Sequence, residues 1–109
     1  MTTIFEKIIK RELPAEIVFE NDQVIAIKDI HPNAPIHFLI ISKKKIPDLQ
    51  SVEDYALIGE IVKVAQQLAK EFEIEEGYRL LTNNGSSAGQ TIFHLHFHLM
   101  GGRKLGALG

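Results

Sequence analysis

Three histidines stand at alternate positions in segment 91–102, which reads TIFHLHFHLMGG. Side chains of an extended strand point to opposite faces with a period of two, so His94, His96 and His98 would line one face of a strand. On a helix, the same three rings would be spread around the axis and could not converge. The pattern predicts a strand with three groups that titrate near neutral pH on one face. Its other face would carry the apolar residues Phe93, Leu95, Phe97 and Leu99.

This histidine row has three chemical interpretations. Inert, neutral core histidines are disfavoured, because three such rings leave many donors and acceptors that need partners. A zinc site could combine two of the imidazoles with His37 and keep one position open for a metal-bound hydroxide. Alternatively, a neutral imidazole can attack phosphorus and carry the transferred group covalently, which splits one difficult displacement into two easier ones.

The segment before the histidines suits the phosphorus interpretation. Residues 83–91, NNGSSAGQT, offer backbone N–H groups, hydroxyls and the side-chain amides of Asn83 and Gln90 to the oxygens of a phosphate. A polar loop with glycines is usually only a turn, but this one directly precedes three aligned histidines. Upstream, Asp29 would stand at a strand end, on the same face as Ile25 and Ile27.

The first half of the chain is predicted to form a short helix and three strands. Thr3 and Glu6 fit a capping box for a helix that runs to about Arg11 and is stopped by Pro14. Asn21-Asp22 would be the turn of a hairpin. The three strands are expected at 16–20, 23–30 and 37–42.

The second half is predicted to form one long helix and two strands. Ser51 with Asp54 fits a capping box, and Gly77 fits the C-terminal cap. Residues 78–83 read as the fourth strand, and the connections are too short for parallel crossovers. The fold class expected is therefore α+β, with a mostly antiparallel sheet of about five strands. The apolar stripe of the long helix would comprise Ile58, Ile61, Val62, Ala65, Leu68, Ala69 and Phe72.

Composition limits the class of protein. With 45% hydrophobic and 24% charged residues, the 109-residue chain is expected to form a single domain over residues 1–109. A formal net charge of −2 argues against a nucleic-acid partner held by bulk phosphate attraction. The absence of cysteine excludes disulfides and thiolate metal sites. Charges interrupt every candidate membrane span, so we expect no membrane association and a cytoplasmic location.

The segment HLHFHLMGG resembles the histidine triad motif of the HIT superfamily, in which three histidines alternate with apolar residues. The similarity extends through TIFEKII, DIHPNAPIHFLIISKK and TNNGSSAGQ, which are typical of the Hint branch, the histidine triad nucleotide-binding proteins. Gly101-Gly102 and a histidine at His98 resemble this branch rather than the dinucleotide hydrolases or uridylyltransferases of the superfamily. The resemblance implies a HIT-like fold, a homodimer, and no cofactor or metal.

The resemblance also implies roles for individual residues. His96 matches the nucleophile that attacks the α-phosphorus, and His98 matches the residue that contacts the phosphate near the leaving group. His94 and His37 match supporting histidines, and Asp29 matches the carboxylate that binds the ribose hydroxyls. The remaining nucleotide-binding positions are Asn83, Gly89, Gln90 and Thr91 for the phosphate, and Ile4, Phe5, Ile8, Ile27, Lys28 and Ile30 for the purine.

The activity implied is that of a purine nucleoside phosphoramidase, which hydrolyses nucleoside 5′-phosphoramidates or aminoacyl adenylates through a nucleotidyl-His96 intermediate. A nucleotide-binding regulatory module with incidental hydrolysis is an alternative, and a zinc-dependent hydrolase is a third. Many relatives carry an aromatic residue at the place of Ile27 and a longer C-terminal tail with an aromatic residue. The sequence therefore leaves open how strongly this protein stacks a base and which leaving groups it selects. A patch of Tyr55, Leu57 and Val64 is compatible with a dimer interface.

Overall fold

A five-stranded antiparallel sheet organises residues 2–109, which are the part of the chain that the computed structural model describes. The strands are β1 (Ile17–Glu20), β2 (Val24–Lys28), β3 (Ile36–Ser42), β4 (Tyr78–Leu81) and β5 (His96–Gly101), in the spatial order β1-β2-β3-β5-β4. The helices are α1 (Ile4–Ile9) and α2 (Tyr55–Glu71), and 3₁₀ turns lie at Leu49–Ser51 and Ser86–Ala88. The expected α+β class, with one short N-terminal and one long helix, is confirmed. None of the helices within residues 2–109 is long and apolar enough to cross a membrane.

The sheet has a hydrophobic core on each face. Successive residues of β2 and β3 point alternately to the two faces, and both strands are buried along nearly their whole length. The larger core lies under α2 and includes Val24, Ala26, Phe38, Ile40, Leu95, Phe97 and Leu99. The smaller core lies under α1 and comprises Phe5, Ile8, Ile25, Ile27, Leu39 and Ile41.

The register between β3 and β5 determines which face receives the histidines. Leu39 pairs with His98, and Ile41 pairs with His96. Because directly opposite residues share a face, His96 and His98 lie on the α1 face of the sheet, together with Leu39 and Ile41. Phe93 departs from the prediction: it is 45% exposed and lies outside both cores, because β5 begins only at His96.

The capping box of α1 is confirmed. The Thr3 hydroxyl accepts a hydrogen bond from the Glu6 N–H at 3.2 Å, and the Glu6 carboxylate accepts one from the Thr3 N–H at 2.9 Å. The predicted end of the helix is wrong by two residues, since α1 ends at Ile9. Arg11 already has a left-handed backbone with φ of 63°, so the chain leaves the helix well before Pro14.

The predicted boundaries of α2 are wrong at both caps. Asp54 is itself the N-cap and accepts from the Ala56 N–H, whereas Ser51 belongs to the preceding 3₁₀ turn, which Asp48 caps. Beyond the C-terminal end, Glu73 rather than Gly77 takes the left-handed conformation, with φ of 60°.

The buried stripe of α2 is rotated relative to the predicted one. Leu57 and Val64 are buried in the core, while Val62 is 39% exposed. Positions 57, 61, 64 and 68 form one row at helical spacing, whereas Val62 is turned by about 100° from Ile61. The suggested dimer patch is therefore reduced to Tyr55, which is 77% exposed.

Gly102, directly after β5, packs closely against Pro35 in the loop before β3. Its φ is +97°, and an added Cβ would lie 2.9 Å from the Cβ of Pro35. We expect Gly102→Ala to lower the free energy of unfolding by about 1–3 kcal/mol, measured by urea denaturation. Gly106→Ala is the control, because a Cβ there meets nothing within 4 Å. Equal stability of the two variants would contradict this assignment.

Candidate active site

A cleft of about 500 Å³ opens between α1 and the sheet. Among the residues suggested by the resemblance, His96, His98 and Asp29 line it. The suggested loop residues Asn83, Gly89 and Thr91 and the suggested purine-site residues Ile4, Phe5, Ile8, Ile27, Lys28 and Ile30 also line it. His37, His94 and Gln90 lie outside the cleft lining and are buried beside it.

Several cleft residues were missed by the sequence interpretation. Leu13, Pro14 and Ala15 follow α1 and close one side, and the apolar composition of this connection was a usable signal. His31, Leu39 and Ile92 also line the cleft, and no spacing rule in the sequence points to them.

His94 occupies the interior and is fully buried. Its Nε2 lies 2.6 Å from the carbonyl oxygen of Ser42, and its Nδ1 lies 3.2 Å from the Thr3 hydroxyl. A carbonyl oxygen only accepts, so the proton of the neutral ring is on Nε2. Burial lowers the pKa of His94, which keeps the ring neutral. The three histidines thus occupy two different places: His94 lies beneath the cleft, and His96 and His98 form part of its wall.

His96 is held as a neutral imidazole with one free lone pair. Its Nδ1–H donates to the carbonyl oxygen of His94 at 2.7 Å, which leaves Nε2 unprotonated on a ring that lines the cleft. Phe5 packs its ring against His96 at 4.9 Å between centroids. Burial, more than any other cause, lowers the pKa of His96. At neutral pH the ring therefore presents a nucleophilic nitrogen.

His98 is held in the opposite sense, as a donor. The N–H of Asn33 donates to His37 Nδ1 at 3.0 Å, so the proton of neutral His37 is on Nε2. His37 Nε2–H donates to His98 Nδ1 at 2.9 Å, which leaves the proton of neutral His98 on its Nε2. Burial, with the neighbouring His96 and His37, lowers the pKa of His98 to about 4. The cleft thus contains an imidazole acceptor and an imidazole donor, with ring centroids 5.4 Å apart.

Asp29 supplies a carboxylate to the lining of the cleft. One oxygen accepts from the N–H of His31 at 2.8 Å, and the other lies 3.4 Å from His37 Nε2. The backbone N–H of Asp29 donates to the carbonyl of His37 at 3.0 Å, which places Asp29 directly past the end of β2. The side chain keeps acceptor capacity in the cleft beside Lys28.

The loop over residues 83–91 forms the polar wall. Gly85 and Gly89 flank its 3₁₀ turn with φ of 91° and 101°, a conformation that favours glycine. The Gln90 side chain accepts from the Gly85 N–H at 2.8 Å and donates to the carbonyl of Pro47 at 2.7 Å. Gln90 therefore braces the loop from within, while Asn83, Gly89 and Thr91 face the cleft.

Asp29, His37 and His98 bring one possible metal-ligand atom each within 4.8 Å of one another. Their hydrogen bonds do not fit a metal in this arrangement. The Asn33 N–H occupies His37 Nδ1, so His37 Nε2 carries the ring's proton, and a metal ligand must be unprotonated. A metal here would also break the bond from His37 to His98.

The fold and the cleft define a class of protein, a small α+β domain that presents alternating histidines beside a glycine-containing loop. A family model described as the HIT domain matches residues 10–105, and the chain therefore belongs to the HIT family.

Individual relatives agree with this assignment. The chain is 51% identical over 108 residues to a HIT-like protein of Chlamydia pneumoniae, covering 97% of this chain and 98% of that protein. Among solved structures, it is similar to a HIT family hydrolase from Clostridium thermocellum, with a TM-score of 0.93, 48% identity, and coverage of 97% and 95% of the two chains. It is also similar to a histidine triad nucleotide-binding protein from Candida albicans, with a TM-score of 0.84, 36% identity, and coverage of 90% and 73%.

Proposed function

We propose that this protein is a Hint-type purine nucleoside phosphoramidase, which hydrolyses nucleoside 5′-phosphoramidates or aminoacyl adenylates through a nucleotidyl-His96 intermediate. The observation that carries the proposal is the opposite protonation of two imidazoles in one cleft. His96 offers a lone pair and His98 offers an N–H, and separate hydrogen bonds set each arrangement.

The cleft matches a purine nucleotide in its chemistry. The apolar wall of Phe5, Ile8 and Ile27 suits a flat base, and the Asp29 carboxylate suits ribose hydroxyls. The loop then supplies donors for the phosphate from Asn83, Gly89 and Thr91.

The reaction follows as two displacements at phosphorus. His96 Nε2 attacks the α-phosphorus and an N–P bond forms. In a phosphoramidate the bond from phosphorus to the amine breaks, and in an aminoacyl adenylate the bond from phosphorus to the carboxylate oxygen breaks. The Nε2–H of His98 donates to the phosphate near the leaving group and stabilises the charge that develops there. The leaving amine takes a proton from solvent. Water then attacks the phosphorus, an O–P bond forms, the N–P bond to His96 breaks and the proton of the water passes to solvent, which gives the nucleoside monophosphate and free His96.

The names of the relatives support a hydrolase acting on nucleotides, since one is a HIT family hydrolase and another is a nucleotide-binding protein. The proposal goes further than these names in four respects. It specifies cleavage of a phosphorus–nitrogen bond, the Hint subtype, a homodimer, and a single domain over residues 1–109. The dimer is consistent with the exposed Tyr55 on α2.

The test is a steady-state assay with adenosine 5′-phosphoramidate and its guanosine counterpart, each run with and without EDTA. We expect turnover that chelation leaves unchanged, because the bonds of His37 and His98 disfavour a metal. Tight nucleotide binding with negligible turnover on every phosphoramidate would instead support a regulatory module. Activity that EDTA abolishes and zinc restores would support a zinc hydrolase.

A further inference from the structure

Thr3 contacts the histidine network at a point to which the proposed reaction gives no role. Its hydroxyl oxygen lies 3.2 Å from His94 Nδ1 and 3.2 Å from the backbone nitrogen of Glu6. One side chain therefore caps α1 and contacts a fully buried ring that is 91 positions away in the sequence.

The two contacts of the Thr3 hydroxyl are compatible with only one direction of each hydrogen bond. The N–H of Glu6 must donate, so the hydroxyl accepts there and its own proton is available for His94 Nδ1. At the other end of the ring, His94 Nε2–H donates to the carbonyl of Ser42 at 2.6 Å. Both bonds require the same neutral tautomer, so His94 is held between the start of α1 and the end of β3.

The orientation of His94 bears directly on His96. The carbonyl of His94 is the acceptor for His96 Nδ1–H at 2.7 Å, and that bond leaves His96 Nε2 unprotonated. Phe5, two residues after Thr3, packs edge-on against both rings, at 5.9 Å from His94 and 4.9 Å from His96. The residue that Thr3 contacts through its ring therefore also supplies the acceptor of His96 through its backbone, and Phe5 packs against both rings.

We infer that Thr3 is a positioning residue for His96, acting through His94: the Thr3 hydroxyl bonds the His94 ring, and the backbone carbonyl of the same residue bonds His96 Nδ1–H. Its role in turnover rests on the proposed function, whereas these hydrogen bonds do not. The same residue begins the helix whose Ile4, Phe5 and Ile8 line the cleft, so it also couples the apolar wall to the reacting ring.

Three substitutions separate the two tasks of Thr3. Serine keeps both the cap and the donor. Aspartate keeps the cap, but its carboxylate cannot donate to an unprotonated His94 Nδ1. Valine has nearly the shape of threonine and removes both. Asp54→Ala is the matched control, because it removes the N-cap of α2, which is no part of the cleft.

The readouts are the ¹⁵N NMR signals of the His94 and His96 rings and the kcat for a phosphoramidate. In Thr3→Val we expect the His94 Nδ1 signal to move toward that of an unbonded nitrogen, and kcat to fall about 10-fold or more. In Thr3→Asp we expect His94 Nδ1 to become protonated at neutral pH and kcat to fall similarly, with α1 still capped. Thr3→Ser should keep the wild-type His94 and His96 signals and the wild-type kcat. Asp54→Ala should also leave the two signals and kcat unchanged.

Wild-type His94 and His96 signals in both Thr3→Val and Thr3→Asp would overturn the inference, as would wild-type kcat in both variants. A wild-type protein that turns over no phosphoramidate would instead refute the proposed function. The NMR signals would still decide whether these hydrogen bonds exist, so the two failures are distinguishable.

Discussion

Replacement of His96 by alanine or asparagine lowers kcat for adenosine 5′-phosphoramidate by at least about 10⁴-fold, the scale on which enzymes lose activity when their nucleophile is removed. The structure gives a specific reason. His96 Nε2 is an unprotonated nitrogen in the cleft, kept so by the bond from Nδ1–H to the His94 carbonyl. Neither alanine nor asparagine offers a nucleophilic nitrogen there. Initial rates over several enzyme concentrations measure the loss.

His96→Asn is the more informative of the two variants. Its side-chain amide can still donate to the carbonyl of His94, so the surrounding hydrogen bonds are least disturbed. We expect its affinity for a purine nucleoside monophosphate to stay within a few-fold of the wild-type value, since the apolar wall, Asp29 and the loop are intact. Near wild-type turnover in both variants would remove His96 as the nucleophile.

Acidification below about pH 6.5 destabilises the protein through four of its histidines. Burial lowers the pKa of His37, His94, His96 and His98 below the ordinary value of 6.5, and that of His98 reaches about 4. The unfolded chain therefore binds more protons than the folded protein as the pH falls below 6.5, so stability is lost from there down to the folded pKa values. The lowered pKa of His98, which burial and the neighbouring His96 and His37 cause together, corresponds to about 3 kcal/mol. Urea denaturation at a series of pH values from neutral to about pH 4 measures this loss in the free energy of unfolding.

His98→Gln tests the origin of this acid sensitivity. Glutamine can still accept from His37 Nε2–H but does not titrate, so the fall in the free energy of unfolding between neutral pH and about pH 4 should shrink. His31→Gln is the control, because His31 is exposed and its replacement leaves the other four histidine rings in place. Parallel pH profiles for wild type and His98→Gln would contradict a half-buried His98 that stays neutral in the folded protein.

The elements that local patterns specify could be predicted from the sequence, and those that depend on tertiary packing could not. The alternation through His94, His96 and His98 indicated β5, and Thr3 with Glu6 indicated the cap of α1. The rotation of α2 was missed because its apolar residues allow two overlapping stripes. Only packing against the sheet selects Leu57 and Val64 over Val62.

In the candidate site, too, some features could be predicted from the sequence and others depend on tertiary packing. The resemblance indicated most of the cleft lining, but residue types alone could not show which side chains turn away from it. Gln90 resembles its loop neighbours in chemistry, yet it is buried against the carbonyl of Pro47. His94 shares the spacing of its two partners, but it lies two residues before the start of β5, where its ring is buried against Thr3.

The most direct test of nucleophilic catalysis by His96 is mass spectrometry of a single-turnover reaction. The reaction is quenched rapidly in base, because the phosphorus–nitrogen bond to histidine survives alkaline conditions. With adenosine 5′-phosphoramidate as substrate, we predict the mass of one adenylyl group on the peptide that contains His96, rising and then decaying as the nucleoside monophosphate accumulates. Nucleotide mass on a different peptide, or complete conversion with no adduct at any quench time, would contradict nucleophilic catalysis by His96.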